Sequence, residues 1–306
     1  MSKRVVIVGG GWSGCAAALA AHQAGASSVV LLERTDYLLG TGLVGGIMRN
    51  NGRFTAAEEM IALGGGTLFE ICDKLSLHRD FAFPGHEHAS LYDVTEIEPA
   101  VRSRLIETGI DVRLMHRVTN VNRSNGSIDS VGVENGLTVE GDIFVETTGS
   151  AGPQKNCKKY AGQCAMCILR CPTFGARTSI SGLVGGHDRN GQRADGEYGV
   201  MSGSCKLSMH SLDPVLAQEL RDRGVVSIPL PAELAEKNMA KLGAKACQQY
   251  ALLEYATNLI LLDTGKAKMM TSYMDLEDLR RVPGLEKARY EDPYAGSLGN
   301  SVRYMD

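Results

Sequence analysis

No apolar run in this sequence reaches the roughly 18 residues that a membrane-spanning helix needs, so no membrane span is expected. Nor is positive charge in excess: 32 Lys and Arg face 35 Asp and Glu, for a formal net charge of -3. A surface that tracks phosphates usually carries a basic excess, which leaves nucleic acid outside the expected partners. The opening "MSKRVVIVGGG" runs straight into a strand, with no apolar targeting segment and no small-residue cleavage site. The expected location is the cytoplasm, where thiols stay reduced and clustered cysteines more often mean metal or redox chemistry than disulfides. Repeats and low-complexity linkers are missing as well. Glycine is plentiful, 36 of 306 residues, but it gathers in tight turns without the period of a collagen. The length suits two domains or one large α/β domain carrying an insertion.

What is there begins with "RVVIVGGGWSGCAAALAAHQAGASSVVLLER". Val5 to Val8 form a short apolar run suited to a parallel strand buried on both faces. Gly9, Gly11 and Gly14 then fit G-x-G-x-x-G, with Ser13 inside the turn. The first glycine permits the tight turn, the second admits a pyrophosphate, and the third lets the helix pack on the strand. An alanine-rich helix over Cys15 to Gln23 would turn its N-terminus to the phosphates. After a second strand, Val29 to Leu32, Glu33 stands where an acid accepts hydrogen bonds from a ribose, with Arg34 beside it. Strand, helix, strand and acid in register point to dinucleotide binding; Cys15 reads as a small residue of the packed helix.

The continuation "ERTDYLLGTGLVGGIMRNNG" carries a second glycine-rich turn at Gly40, Thr41 and Gly42. Two further stretches complete a pattern: "GIDVRLMHRVTNVNRSNGSIDSVGVENG", a strand and β-hairpin that include Val118, and "LTVEGDIFVETTGSAG", which ends in a turn at Thr148 and Gly149. On these residues the chain, over about 4 to 152, resembles the FAD-dependent oxidoreductase family with a glutathione-reductase-type FAD-binding fold. The resemblance implies FAD as cofactor, with Val118 near the adenine and the Thr148-Gly149 turn returning the chain to the cofactor. It extends over "CAMCILRCPTFGAR", as in a branch with an inserted ferredoxin-like cysteine motif. Such proteins close the flavin site with a Gly-Asp segment of which no clear copy is present; Gly299 and Asn300 in "DPYAGSLGNSVRYMD" are the glycine-rich candidates for that role.

Four of the eight cysteines crowd into "CKKYAGQCAMCILRCP". In Cys157-x6-Cys164-x2-Cys167-x3-Cys171-Pro172, the last three ligands and the proline copy the bacterial ferredoxin run. Cys157 is the natural fourth ligand of one [4Fe-4S] cluster, with Cys205 in reserve. Two other uses compete. Four-cysteine zinc sites usually pair two C-x2-C knuckles, and only one is present. "CAMC" resembles the redox pair of thioredoxin reductases, but no second G-x-G-x-x-G for a nicotinamide follows residue 150, and a disulfide needs two cysteines rather than four. Cys157 begins eight residues after Gly149, so a cluster there could exchange single electrons with a flavin that takes two at once.

Elsewhere, "GTLFEICDKLSL" reads as an amphipathic helix holding Cys72 in the core, followed by a polar loop, "HRDFAFPGHEHAS". His86 and His88 lack a third metal ligand in sequence; His78 and His86 stand as candidates to line a substrate site. "TEIEPAVRSRLIETG" and "SLDPVLAQELRDRG" read as helices, the latter opened by Asp213-Pro214. "PAELAEKNMAKLGAKACQQYALLEYATN" reads as helix and "NLILLDTGKAKMMTSYM" as strand, turn and strand.

The expected architecture is α/β: a Rossmann-type FAD-binding domain over 1–154, an inserted α+β substrate and iron–sulfur domain over 155–290, and a C-terminal segment, 291–306, that returns to the first. The expected function is an FAD-dependent oxidoreductase that couples two-electron flavin chemistry to one-electron transfer through the cluster. Its partners would be a small-molecule substrate and a soluble electron-transfer protein or other subunits of a complex. Two alternatives stand beside it. One is a non-catalytic electron-transfer subunit. The other is a flavin-dependent tRNA-modifying enzyme, since folate-using methyltransferases share the first motif; the acidic balance speaks against it.

Overall fold

The computed structural model describes residues 2–40, 42–45, 47–49, 52–83, 86–149, 174–175, 177–186, 204–235, 259–263, 266–269 and 276–289. The chain opens with strand β1 (Arg4–Val8), helix α1 (Trp12–Gln23) and strand β2 (Ser28–Leu32). Side chains of β1 alternate between two cores, as the two-residue period of a strand requires. Val5 and Ile7 pack with α1, while Val6 and Val8 join a second cluster on the opposite face. A strand covered on both faces has no room for polar residues, which is why its sequence is a continuous apolar run.

Next come helix α2 (Gly42–Gly45), strand β3 (Ile47–Arg49), helices α3 (Gly52–Ala62) and α4 (Thr67–Lys74), and strands β4 (Ser76–Phe83) and β5 (His86–Tyr92). Strands β3, β5 and β4 form a small antiparallel sheet. The stretch expected as a polar loop is therefore a β-hairpin. Its pairing slips at several places, and Asp80 (φ 51°) and His88 (φ 55°) take left-handed backbone. Such bulges break the two-residue alternation by which a strand is recognised.

Helix α5 (Ile97–Glu107) and strand β6 (Asp111–Arg113) return the chain to the first sheet. Strands β7 (Val118–Ser124), β8 (Ser127–Val133) and β9 (Thr138–Glu140) form an antiparallel meander, and β10 (Ile143–Glu146) re-enters the first sheet. That sheet is parallel throughout, in the order β10-β1-β2-β6. Ile97, Val101 and Leu105 of α5 bury against one face, and Val118, Val131, Val133 and Val139 of the meander cover the other. The chain leaves β1 to one side for β2 and later comes back on the other side as β10. This reversal opens a crevice at the carboxyl ends of β1 and β10, where doubly wound sheets bind ligands.

Later elements are the short helix α6 (Ile180–Leu183), strand β11 (Ser204–Lys206), helix α7 (Pro214–Arg223), strands β12 (Val225–Pro229), β13 (Leu259–Asp263) and β14 (Lys266–Met269), and helix α8 (Leu276–Leu279). They include an antiparallel sheet, β11-β14-β13-β12, and a separate core around Leu207, Leu220, Val226, Leu279 and Leu285. The start of α7 follows from its sequence. Asp213 accepts hydrogen bonds from the Val215 (2.9 Å) and Leu216 (3.4 Å) amides, Pro214 fills the first turn, and left-handed Gly224 ends the helix. Of the helix expected from Pro231 onward, the part beyond residue 235 lies outside the described residues.

Candidate dinucleotide site

The three fingerprint glycines serve different neighbours. Gly9 has φ +106°, and a Cβ there would lie 2.4 Å from the Thr147 carbonyl oxygen. A Cβ on Gly14 would lie 1.9 Å from the Gly9 carbonyl oxygen. Both positions are dictated by backbone packed against backbone. Gly11 is different, because nothing lies within 4 Å of its would-be Cβ. The fold itself does not need a glycine there; a ligand in the crevice would. Gly11 also precedes α1 in extended conformation, no side chain caps the helix, and its first turn holds no acidic residue. The helix thus supplies no side-chain acceptor for its leading N–H groups, which suits an anion.

Glu33 directly follows β2, and its side chain is buried. One oxygen accepts from the Gly10 amide at 2.7 Å. The other accepts from the Thr35 amide at 2.9 Å and the Thr35 hydroxyl at 3.0 Å. A carboxylate has about four acceptor positions, so Glu33 keeps capacity for one further donor, such as a ribose hydroxyl. The chain after β6 wraps this corner: the Met115 amide donates to the Thr35 carbonyl and the His116 amide to the Glu33 carbonyl. That places Arg117 and buried Val118 beside the acid's loop.

The second glycine-rich turn meets the first. The Leu39 amide donates to the Gly10 carbonyl at 2.7 Å, and Gly40 takes φ +47°. Gly42 packs on the ring of Trp12, where a Cβ would come within 2.3 Å of Nε1. Trp12 Nε1 donates to the Tyr92 hydroxyl (3.2 Å), which donates to the Gly42 carbonyl (2.5 Å); the two rings meet edge to face at 5.7 Å. Beneath the turn, buried Glu98 of α5 accepts from the Leu38 amide at 3.1 Å and pairs with Arg102 at 3.4 Å. Sequence reasoning missed Trp12, Tyr92 and Glu98, which are far apart in the chain and carry no local signal.

The returning turn closes the crevice. The Thr147 hydroxyl shares its one proton between the Val8 (2.9 Å) and Gly9 (2.7 Å) carbonyls, and Gly149 takes φ +81°. Glu146, at the end of β10, bonds the Thr148 amide (3.1 Å) and hydroxyl through one oxygen. Its other oxygen accepts from the Ile180 (2.6 Å) and Ser181 (3.1 Å) amides at the start of α6. The sequence offered one sign of this, an acid directly before Thr-Thr-Gly, and it went unread.

Gly9, Gly11, Ser13, Gly14, Glu33, Arg34, Gly40, Gly42, Val118, Thr148 and Gly149 lie in loops or near element ends, and the loops after β1, β2 and β10 lie at the carboxyl ends of the parallel sheet. Thr41, Gly299 and Asn300 lie outside the described residues, as do Cys157, Cys164, Cys167 and Cys171. Cys205 belongs to β11. Among the described residues no group of three or more His, Cys, Asp or Glu is placed to hold a metal ion, and no helix is long and apolar enough to cross a membrane. Cys15 and Cys72 are buried, as expected of core residues. Burial, with the nearby Glu33 and Glu98 carboxylates, pushes the Cys15 thiol up to about 12. His78 Nδ1 is buried, and His88 instead pairs with Asp80 at 2.6 Å on the exposed hairpin. A separate cleft of about 450 Å³ lies where Phe81 and Ala82 of the hairpin meet α7 and β12.

A Rossmann-type α/β fold with a glycine fingerprint after its first strand defines the class. Within it the family model of glucose inhibited division protein A, GIDA, matches residues 4–212, and the chain belongs to that family. The membership supports FAD as the dinucleotide. Among solved structures, GidA of Aquifex aeolicus is 14% identical, with a TM-score of 0.56, over 94% of this chain and 54% of that one. CtdE in complex with FAD is 21% identical over 55% and 41% of the two chains, with a TM-score of 0.37. THI4 of Thermovibrio ammonificans is 20% identical over 49% and 58%, with a TM-score of 0.36. The likeness to GidA is one of fold, and the chain spans about half the length of that protein. No curated protein matches the chain.

Proposed function

We propose that the chain holds FAD in this crevice as the cofactor part of a flavin-dependent enzyme. The observation that carries the reading is the open space at Gly11 between two glycines that the fold itself requires. The α1 N-terminus and Gly11 would take the pyrophosphate, Glu33 a ribose hydroxyl, and Val118 the adenine side. The turns at Gly40–Gly42 and Thr148-Gly149 would run along the flavin side. FAD, when bound, supplies two-electron redox chemistry; the protein's own groups bind and orient it. The purified protein should show flavin absorption, and Gly11→Val should abolish it while the fold survives. Tight NAD binding without flavin would overturn the assignment.

For the reaction, family membership favours flavin-dependent modification of tRNA over the cluster-coupled chemistry expected first from the sequence; in this reading the partner is a nucleic acid, which the acidic balance had set aside. RNA that copurifies with the chain and is released by salt tests this directly. A second reading rests on one specific observation, the ferredoxin spacing of Cys164, Cys167 and Cys171 with Cys157 nearby. In that reading a [4Fe-4S] cluster passes electrons singly to a soluble partner, and NADH alone reduces the flavin slowly or not at all. Iron analysis of anaerobically prepared protein decides between the two.

A further inference from the structure

One carboxylate joins the cofactor crevice to a segment that no sequence motif assigns to it. Glu146 sits at the carboxyl end of β10, on the rim of the crevice. One of its oxygens holds the amide and hydroxyl of Thr148, in the turn whose neighbour Thr147 clamps Gly9. The other oxygen receives the Ser179 hydroxyl (3.2 Å), the Ile180 amide (2.6 Å), and the Ser181 amide (3.1 Å) and hydroxyl (3.3 Å). Charge-assisted bonds of this kind are about twice as strong as neutral ones. A carboxylate filled on both oxygens has no freedom to turn.

The same segment is tied to the crevice at two other places. Arg177 Nε donates to the Thr148 carbonyl at 3.1 Å. Arg34, the residue after the ribose acid, donates to the Gly175 carbonyl at 2.5 Å. Gly175 takes φ +75°, and a Cβ there would lie 2.8 Å from Arg117 Nε, so the segment is packed against the residue that precedes Val118. Contacts from the loop after β2, from the residue before β7 and from the end of β10 thus converge on residues 175 and 177–181. These are the three places that the dinucleotide reading gives to ribose, adenine and the returning turn.

We propose that residues 175 and 177–181 form a further wall of the cofactor site, and that Glu146 is the positioning residue that couples this wall to the bound dinucleotide. The inference rests on the FAD reading above. FAD need not touch Glu146 for the coupling to hold. A ligand that orders the Thr148 turn fixes one oxygen of the carboxylate and thereby the other, and by linkage the wall must stabilise the ligand as much as the ligand stabilises the wall.

The test uses the whole chain stripped of flavin, with amide hydrogen exchange at residues 177–182 followed with and without added FAD, and FAD affinity measured by fluorescence. In the wild type, FAD should slow exchange at Ile180 and Ser181 by about tenfold, within the usual range of coupling between sites. Glu146→Gln, which presents an NH2 group where an oxygen accepted amides, should weaken FAD binding about tenfold and abolish the FAD-dependent protection. Glu146→Asp should restore part of both. A merely structural Glu146 would alter exchange equally with and without FAD, and that result overturns the coupling. Unchanged affinity in Glu146→Gln overturns it too. If the wild type binds FAD and Gly11→Val does not, yet these amides ignore FAD, the wall fails while the cofactor reading stands. If the wild type takes up no FAD at all, both fall together.

Discussion

At the scale of single residues, Gly9 and Gly11 look equivalent in the fingerprint and are opposite in the structure. An alanine at Gly9 must adopt φ +106° with its Cβ 2.4 Å from a carbonyl oxygen. Gly9→Ala should therefore cost at least about 3 kcal/mol and lower the melting temperature of the flavin-free chain. A Cβ at Gly11 meets no protein atom within 4 Å, so Gly11→Val should leave that temperature nearly unchanged while flavin is lost. A large stability loss in Gly11→Val would contradict the open crevice. Cys15 gives a prediction in pH. Its thiol ordinarily titrates near 9.0 and is held up to about 12, first by burial and then by Glu33 and Glu98. The folded state keeps a proton that the unfolded chain releases, so this group removes stability as pH climbs from about 9 towards 12. Cys15→Ala should flatten that part of the alkaline unfolding curve, and iodoacetamide should spare Cys15 in the folded protein at pH 8.

At the scale of elements, the second glycine turn is held over α1 by Trp12 and Tyr92 rather than by its own sequence. Tyr92→Phe removes the donor to the Gly42 carbonyl and the acceptor for Trp12. The change should cost about 1–3 kcal/mol and weaken FAD binding. Trp12 is the chain's single tryptophan, so its fluorescence reports both effects without a label; an unaltered FAD titration would show that this contact does not shape the turn. Such long-range ties mark the limit of what the sequence made legible. The β1-α1-β2 unit, the β7–β8 hairpin, α5 and the β13–β14 pair could be read because each carries its own period, cap or turn. The β4–β5 hairpin could not, since its bulges at Asp80 and His88 erase the alternation. Glu33 and the fingerprint glycines were visible because their spacing is local. Glu146, Tyr92 and Glu98 act across 34, 50 and 60 residues of chain to reach Ile180, Gly42 and Leu38, a separation at which no local pattern survives.

At the scale of the whole molecule, the two proposed reactions make opposite demands on one chain. With a net charge of -3, any grip on tRNA must come from a locally basic face, and its affinity must fall steeply with salt as phosphate counterions are released. A cluster makes no such demand; it needs thiolates converging on iron. Serine at Cys164, Cys167 and Cys171 together therefore separates the readings in one protein. Under tRNA modification, the triple variant should keep its flavin, keep salt-sensitive RNA binding, and match the wild type in containing no stoichiometric iron. Under cluster coupling, the anaerobic wild type should carry about four irons per chain, and the variant should lose them while its flavin stays in place. Family membership leads us to expect the first outcome. Four irons in the wild type, with no RNA retained at low salt, would reverse that choice and leave the FAD reading standing, because it rests on contacts among the described residues such as Glu33 with Gly10 and Thr147 with Gly9.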